Sequence, residues 1–199
     1  MPNFFHGEVR IFGDDYDQLA PILEWTDNCN TACYENGVPF NSLLPLTSMD
    51  NNYDDEKWVY EEAIVEWGSK WGVAEVAALR HTTDYVAFHY QSAWNMPDAL
   101  FRGIEEKYGV KIYSHGYEEG CGFYTAYVNG ATDTISYDQD DFNKWAKDKG
   151  LEVPDYEKDS EEYNDFWDDK ILNFLNEESV ALVEELNGGR SCGFKTYVV

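Results

Sequence analysis

Glu118-Glu119-Gly120-Cys121-Gly122 sets two carboxylates beside a thiol, with His115 three residues upstream of the first. Paired carboxylates do acid–base work when their environments push their pKa values apart, and a thiol becomes a nucleophile when a base lies against it. The same five residues have hairpin-turn chemistry, because glycine supplies positive φ without steric cost. Asp138-Gln139-Asp140-Asp141 opens like a calcium loop but lacks the glycine and the closing glutamate of an EF-hand. His6, His81, His89 and His115 form no HExxH or other ligand pattern. Cys29-x3-Cys33 has no second close pair to complete a zinc site, so these two and Cys121 and Cys192 read as free thiols. A Walker loop, a G-x-G-x-x-G run and a G-x-S-x-G elbow are all absent. No catalytic residue, metal or cofactor is assigned on these grounds.

Charge carries more. Thirty-nine acidic residues stand against fourteen basic ones in 199, a formal net charge of −25. Self-repulsion of that size destabilises a compact chain, and solubility needs a magnitude of only about 2–8. Duplex DNA carries one charge per roughly 1.7 Å, so twenty-five charges on one face would match about 43 Å, or roughly 12 base pairs. Direct binding to nucleic acid is disfavoured, because phosphate contact needs lysine and arginine. The excess points instead to a partner with a basic, nucleic-acid-binding groove. Halophilic adaptation is the alternative reading of the charge, and would spread carboxylates over the whole surface.

The acids cluster. Asp50, Asp54, Asp55, Glu56, Glu61 and Glu62 form one group, and residues 138–170 hold thirteen acids against five lysines. The residues assigned to the partner surface are Asp54, Asp55, Glu56, Asp138, Asp140, Asp141, Asp155, Glu157, Asp159, Glu161, Glu162, Asp165, Asp168 and Asp169. A solvated helix face is the usual fate of a charge run, but such faces mix signs through i,i+4 lysine partners. Trp145, Tyr156, Phe166 and Trp167 lie among these carboxylates and would serve as apolar anchors.

The chain that holds these groups is not disordered: 17% of it is aromatic and 43% apolar. No stretch approaches the 18 apolar residues of a membrane span. MPNFFHGEVR lacks the basic start and apolar run of a signal peptide, so the cytoplasm is the expected compartment. Residues 8–13 alternate as a strand, and 14–25 have helical spacing with Asp14 or Asp15 as N-cap, interrupted by Pro21. Residues 28–56 have the turn chemistry of a long loop. Helical periodicity returns over 55–68, and strands are expected near 73–79 and 85–92. A helix follows over 97–108 with Gly109 past its end, then strands over 110–117, 122–128 and 134–137. Without the extra helix the order is β-α-β-β-α-β, the ferredoxin-like arrangement, with helices over one face of an antiparallel sheet. Two helices, 139–148 and 159–187, and a last strand from Phe194 to Val199 complete the chain. The fold class is α+β: a ferredoxin-like domain over 1–137 and an acidic helical extension over 138–199 docked on it.

Met1-Pro2-Asn3, Trp67-Gly68-Ser69-Lys70-Trp71, Ser92-Ala93-Trp94-Asn95-Met96-Pro97 and Tyr117-Glu118-Glu119-Gly120 followed by Gly122 resemble the YubB-type ferredoxin-like family of phage and plasmid proteins. The resemblance covers residues 1–130, and Phe4-Phe5 and Met96 depart from its usual pattern. It implies the fold and a mobile-element origin, with no activity attached. Trp67, Lys70 and Trp71 read as a helix end packed on the sheet, with a ligand pocket as the rival reading.

The leading expectation is a phage-encoded protein that occupies the basic groove of a host nucleic-acid-binding defence protein, such as a restriction or CRISPR effector. A non-mimic interaction or ligand-sequestering module is the second reading. A small enzyme using Glu118, Glu119 and Cys121 is the third.

Overall fold

The computed structural model describes residues 4–32, 43–44, 60–69, 75–155 and 160–194. In chain order these form β1 (Phe4–Phe12), α1 (Tyr16–Ala32), α2 (Tyr60–Trp67), β2 (Glu75–His81), β3 (Tyr85–Ala93), α3 (Asp98–Tyr108), β4 (Lys111–Glu118), β5 (Phe123–Val128), β6 (Ala131–Ser136), α4 (Gln139–Asp148) and α5 (Ser160–Leu186). The strands make one antiparallel sheet in the order β2-β3-β1-β4-β5-β6. Its first four members are the ferredoxin-like arrangement, to which the meander β5–β6 is added. The chain is α+β.

The helix boundaries have local causes. Asp15 Oδ1 accepts a hydrogen bond from the Gln18 N–H at 3.1 Å, and the Gln18 side chain accepts the Asp14 N–H at 2.7 Å. The first turn of α1 is thereby closed at its open donors. Helix α1 runs through Pro21; so close to the start, the ring removes one hydrogen bond of the ladder. Gly109 takes the left-handed conformation (φ 71°) that ends α3, and its N–H returns to the Glu105 carbonyl.

Two cores flank the sheet. On the front, α1, α2 and α3 cover Phe5, Val9, Ile11, Phe88, Tyr90, Ile112 and Tyr127. Phe101 of α3 meets the Tyr90 and Tyr127 rings edge-on at 5.8 and 5.4 Å, a geometry aromatic pairs favour. On the back, α4 and α5 bury Tyr124, Ala126 and Val128 of β5 against Phe142, Phe174, Leu175 and Val183. Helices α1–α3 therefore cover one face, as the ferredoxin-like order implies, and the C-terminal helices α4 and α5 dock on the other. The reason is β5, which has apolar residues on alternate positions of both sides.

The buried side of α5 turns along its length. Phe166 and Trp167 pack on Phe142 of α4, whereas Ser179 and Val183, more than three turns on, face the sheet, Ser179 at His115 and Val183 in the core formed with β5. Phe194 lies outside any strand, and 195–199, where the last strand was expected, fall outside the described residues. Among the described residues no helix is long and apolar enough to cross a membrane.

Candidate functional site

Alternation along β1 sends Phe5, Gly7, Val9 and Ile11 to the front core, and hence His6, Glu8 and Arg10 to the back. The register then aligns two rows across three strands. Glu8 stands between His89 of β3 and His115 of β4, and His6 stands between Gln91 and Tyr117. The His6 and Tyr117 rings stack at 5.9 Å.

The first row is buried at its centre, Glu8 being 3% and His115 4% exposed. Glu8 Oε1 accepts hydrogen bonds from Arg10 Nε at 3.2 Å and Nη2 at 3.1 Å. The guanidinium also lies 4.6 Å from the centre of the Phe194 ring and donates to the Cys192 carbonyl at 3.4 Å. His115 Nδ1 is 2.9 Å from Ser179 Oγ on α5, and Ser179 donates to the Asn176 carbonyl at 3.1 Å. A hydroxyl has one proton. With that proton on Asn176, Nδ1 carries the proton it shares with Ser179, and Nε2 is a bare acceptor. Nε2 is buried without a hydrogen-bond partner and lies 3.9 Å from Glu8 Oε2.

Burial pushes the His115 pKa below its ordinary value, which leaves the ring neutral at neutral pH. For Glu8, burial acts to raise the pKa, but His115, once acid protonates it, and Arg10 outweigh it and hold the carboxyl below its usual range. Two acceptors, one of them charged, therefore face each other. Above this sheet surface lies a cavity of about 460 Å³, roofed by Leu172, Asn173 and Asn176 of α5. That volume falls in the range of small-molecule sites, about 300–1,000 Å³. Among the described residues no three His, Cys, Asp or Glu side chains converge as a metal site.

The acidic residues assigned from sequence have different fates. Asp138 and Asp141 form the capping box of α4: the Asp138 carboxylate accepts the Asp140 and Asp141 N–H groups, and Asp141 accepts the Asp138 N–H. Asp140, Asp155, Glu161, Glu162, Asp165, Asp168 and Asp169 are exposed, with Asp169 paired to Lys170 at 2.6 Å. Asp54, Asp55, Glu56, Glu157 and Asp159 lie outside the described residues, as do Lys70 and Trp71. Carboxylates do converge between α4, α5 and β6. There Asp141, Asp148, Glu177, Glu178 and Glu184 line an open groove of about 750 Å³ with Lys144 and Lys149. Burial and then the neighbouring Glu177 raise the Glu178 pKa. Glu177 itself is held by Lys149 at 2.5 Å and by the Trp145 indole N–H at 3.0 Å.

The carboxylate–thiol turn does not assemble as a site. Glu118 is buried and accepts the Gly120 and Cys121 N–H groups of its own turn, while Glu119 and Cys121 are exposed. Trp67 is buried with its indole N–H on the Leu44 carbonyl at 3.0 Å, as a packing residue.

Comparison with protein-family models gives no match, and no curated protein matches. One solved structure, protein api92 from Yersinia pseudotuberculosis, a DUF1281 protein, is similar at 17% identity and a TM-score of 0.32. The match covers 40% of this chain and 30% of that one, so the similarity spans under a third of its length.

Proposed function

We propose that this protein is an acidic inhibitor that occupies the basic groove of a nucleic-acid-binding protein in the host cytoplasm, in the place of phosphates. The observation that carries the reading is the groove between α4, α5 and β6, where five carboxylates meet two lysines. Their mutual repulsion is felt at Glu178, and a cationic partner would relieve it. Tyr124 on the groove wall is pushed up to about 12 by burial and then by Glu178, Asp141, Asp133 and Glu185. Fields of one sign steer a basic partner to such a surface and make association fast and salt-sensitive. The resemblance of residues 1–130 to the YubB-type family supports a mobile-element origin, for which a host defence protein is the natural target.

The test begins with a partner captured from bacterial lysate at low salt and then purified. Duplex DNA should displace this protein from it, and affinity should fall steeply from about 50 to 200 mM salt, as phosphate contacts do. Neutralising the groove with Asp148→Asn, Glu178→Gln and Glu184→Gln together should weaken binding at least tenfold. Affinity unchanged by salt, or a complex that DNA leaves intact, overturns the proposal.

A further inference from the structure

We infer that the cavity between the back of the sheet and α5 is a binding site for a small primary ammonium ion, held between His115 Nε2 and Glu8 Oε2. The inference stands apart from the acidic groove and does not depend on it. It starts from an imbalance of hydrogen-bonding groups. Glu8 Oε1 takes both of the hydrogen bonds that Arg10 makes to this carboxylate. Oε2 faces His115 Nε2 across 3.9 Å, too far for a direct bond. Nε2 is the one buried side-chain nitrogen or oxygen among the described residues that lacks a partner, and an orphaned buried polar atom calls for a specific explanation.

The geometry selects the missing group. A nitrogen placed about 2.9 Å from both acceptors would see them at an angle of roughly 85°, close enough to tetrahedral for two N–H bonds of one ammonium group. A guanidinium fork, whose parallel donors match the two oxygens of one carboxylate, fits two acceptors this far apart less well. The charge also matches. Arg10 is shared among Glu8, the Phe194 ring and the Cys192 carbonyl, and the chain as a whole carries −25, so the site's field favours a cation. The rest of the cavity offers an alkyl chain somewhere to lie, along Leu172 and the stacked His6 and Tyr117 rings.

The experiment titrates the full chain with n-butylammonium while following the His115 ring nitrogens by NMR. Butyltrimethylammonium, which has the charge but no N–H, and butan-1-ol, which has the chain but no charge, are the comparison ligands. The expected result is saturable binding of n-butylammonium with a shift at His115 Nε2, and at least tenfold weaker binding of both comparison ligands. Glu8→Gln should lose at least tenfold in affinity. Because Glu8 is buried and its variant could unfold, Leu172→Trp serves as a second: the position is 49% exposed, and the larger side chain should fill the cavity and abolish binding. Asp14→Asn, just before α1, and Asp17→Asn, in its first turn, are at exposed positions and should leave affinity unchanged, which separates this site from general attraction to an acidic surface. Equal binding of the two cations, affinity insensitive to Glu8 and Leu172, or no shift at His115 overturns the inference and leaves a bridging water only.

Discussion

Ser179 and His115 meet through a 2.9 Å hydrogen bond between α5 and β4, 64 residues apart in sequence and buried at both ends. This bond sets which ring nitrogen of His115 holds the proton, and it pins the middle of α5 to the sheet.

Replacing Ser179 with Ala leaves Nδ1 unpaired as well as Nε2. An unsatisfied buried polar group costs about 1–3 kcal/mol. Urea unfolding of Ser179→Ala should show a loss in that range with an unchanged slope. Unaltered stability would mean that α5 holds its position by apolar contacts alone.

Acid should weaken the fold in two stages. His115 in the folded chain lies below its ordinary 6.5, so as pH falls through about 6.5 the unfolded chain takes up a proton that the folded chain does not. Glu8 lies below its ordinary 4.5, so its contribution is complete above that value and is lost as pH falls further. Each group gives a slope of at most about 1.4 kcal/mol per pH unit. Unfolding free energy measured against pH should lose its upper stage in His115→Gln, and the lower stage should shrink as well, because His115 is the leading influence that holds Glu8 down.

Alkali acts through buried phenols. Tyr124 and Tyr137 are both pushed up to about 12 by burial and then by neighbouring carboxylates. Their folded values are raised, so their contribution is present below about pH 10 and is lost as pH rises from there towards 12. Phenolate absorbance should show titration delayed past that of an unfolded control. The delay should shorten in Glu119→Gln, because the Glu119 carboxylate is the charge that acts most strongly on Tyr137.

Close approach of two strands makes Gly116 irreplaceable. A Cβ there would meet the His6 carbonyl oxygen and the Phe5 ring. Backbone in the pairing strand cannot step aside, so Gly116→Ala should cost about 1–3 kcal/mol, as overpacking does. Gly103→Ala meets the flexible end of Leu44 instead, and its melting temperature should fall less.

Much of the architecture was legible because local chemistry marks it. Asp138 before α4 and Gly109 after α3 are end signals readable without a structure, and both helices lie within a residue of where those signals place them. Strand β6 was harder. All six of its residues are exposed, so no apolar alternation announces it, and pairing with β5 is what makes it a strand. The placement of α5 was hidden by periodicity: its buried side changes partway along, so no single stripe shows. FYTAYV in β5 did carry a sign of two-sided burial, which points to a second helical layer. The Glu8–His115 pair was not legible, since charged residues at every second position of β1 look like an outer face. Only the register across β3, β1 and β4 brings the pieces into one row. Of the carboxylates assigned to the partner surface from sequence, Asp141 alone lines the groove between α4, α5 and β6, joined there by Asp148 of the same acidic run. Glu177, Glu178 and Glu184 lie beyond the acidic run over 138–170, and no dense charge run marks them.

A helix 27 residues long reaches about 40 Å but is only about 10–12 Å across. Six strands spaced about 4.8 Å apart make a floor roughly 24 Å wide. A single such rod laid over β4 and β5 must leave a gutter beside it, running above β1 and β3. The hollow over Glu8 is thus a product of mismatched widths, and any second helix added there by a relative of this protein would close it.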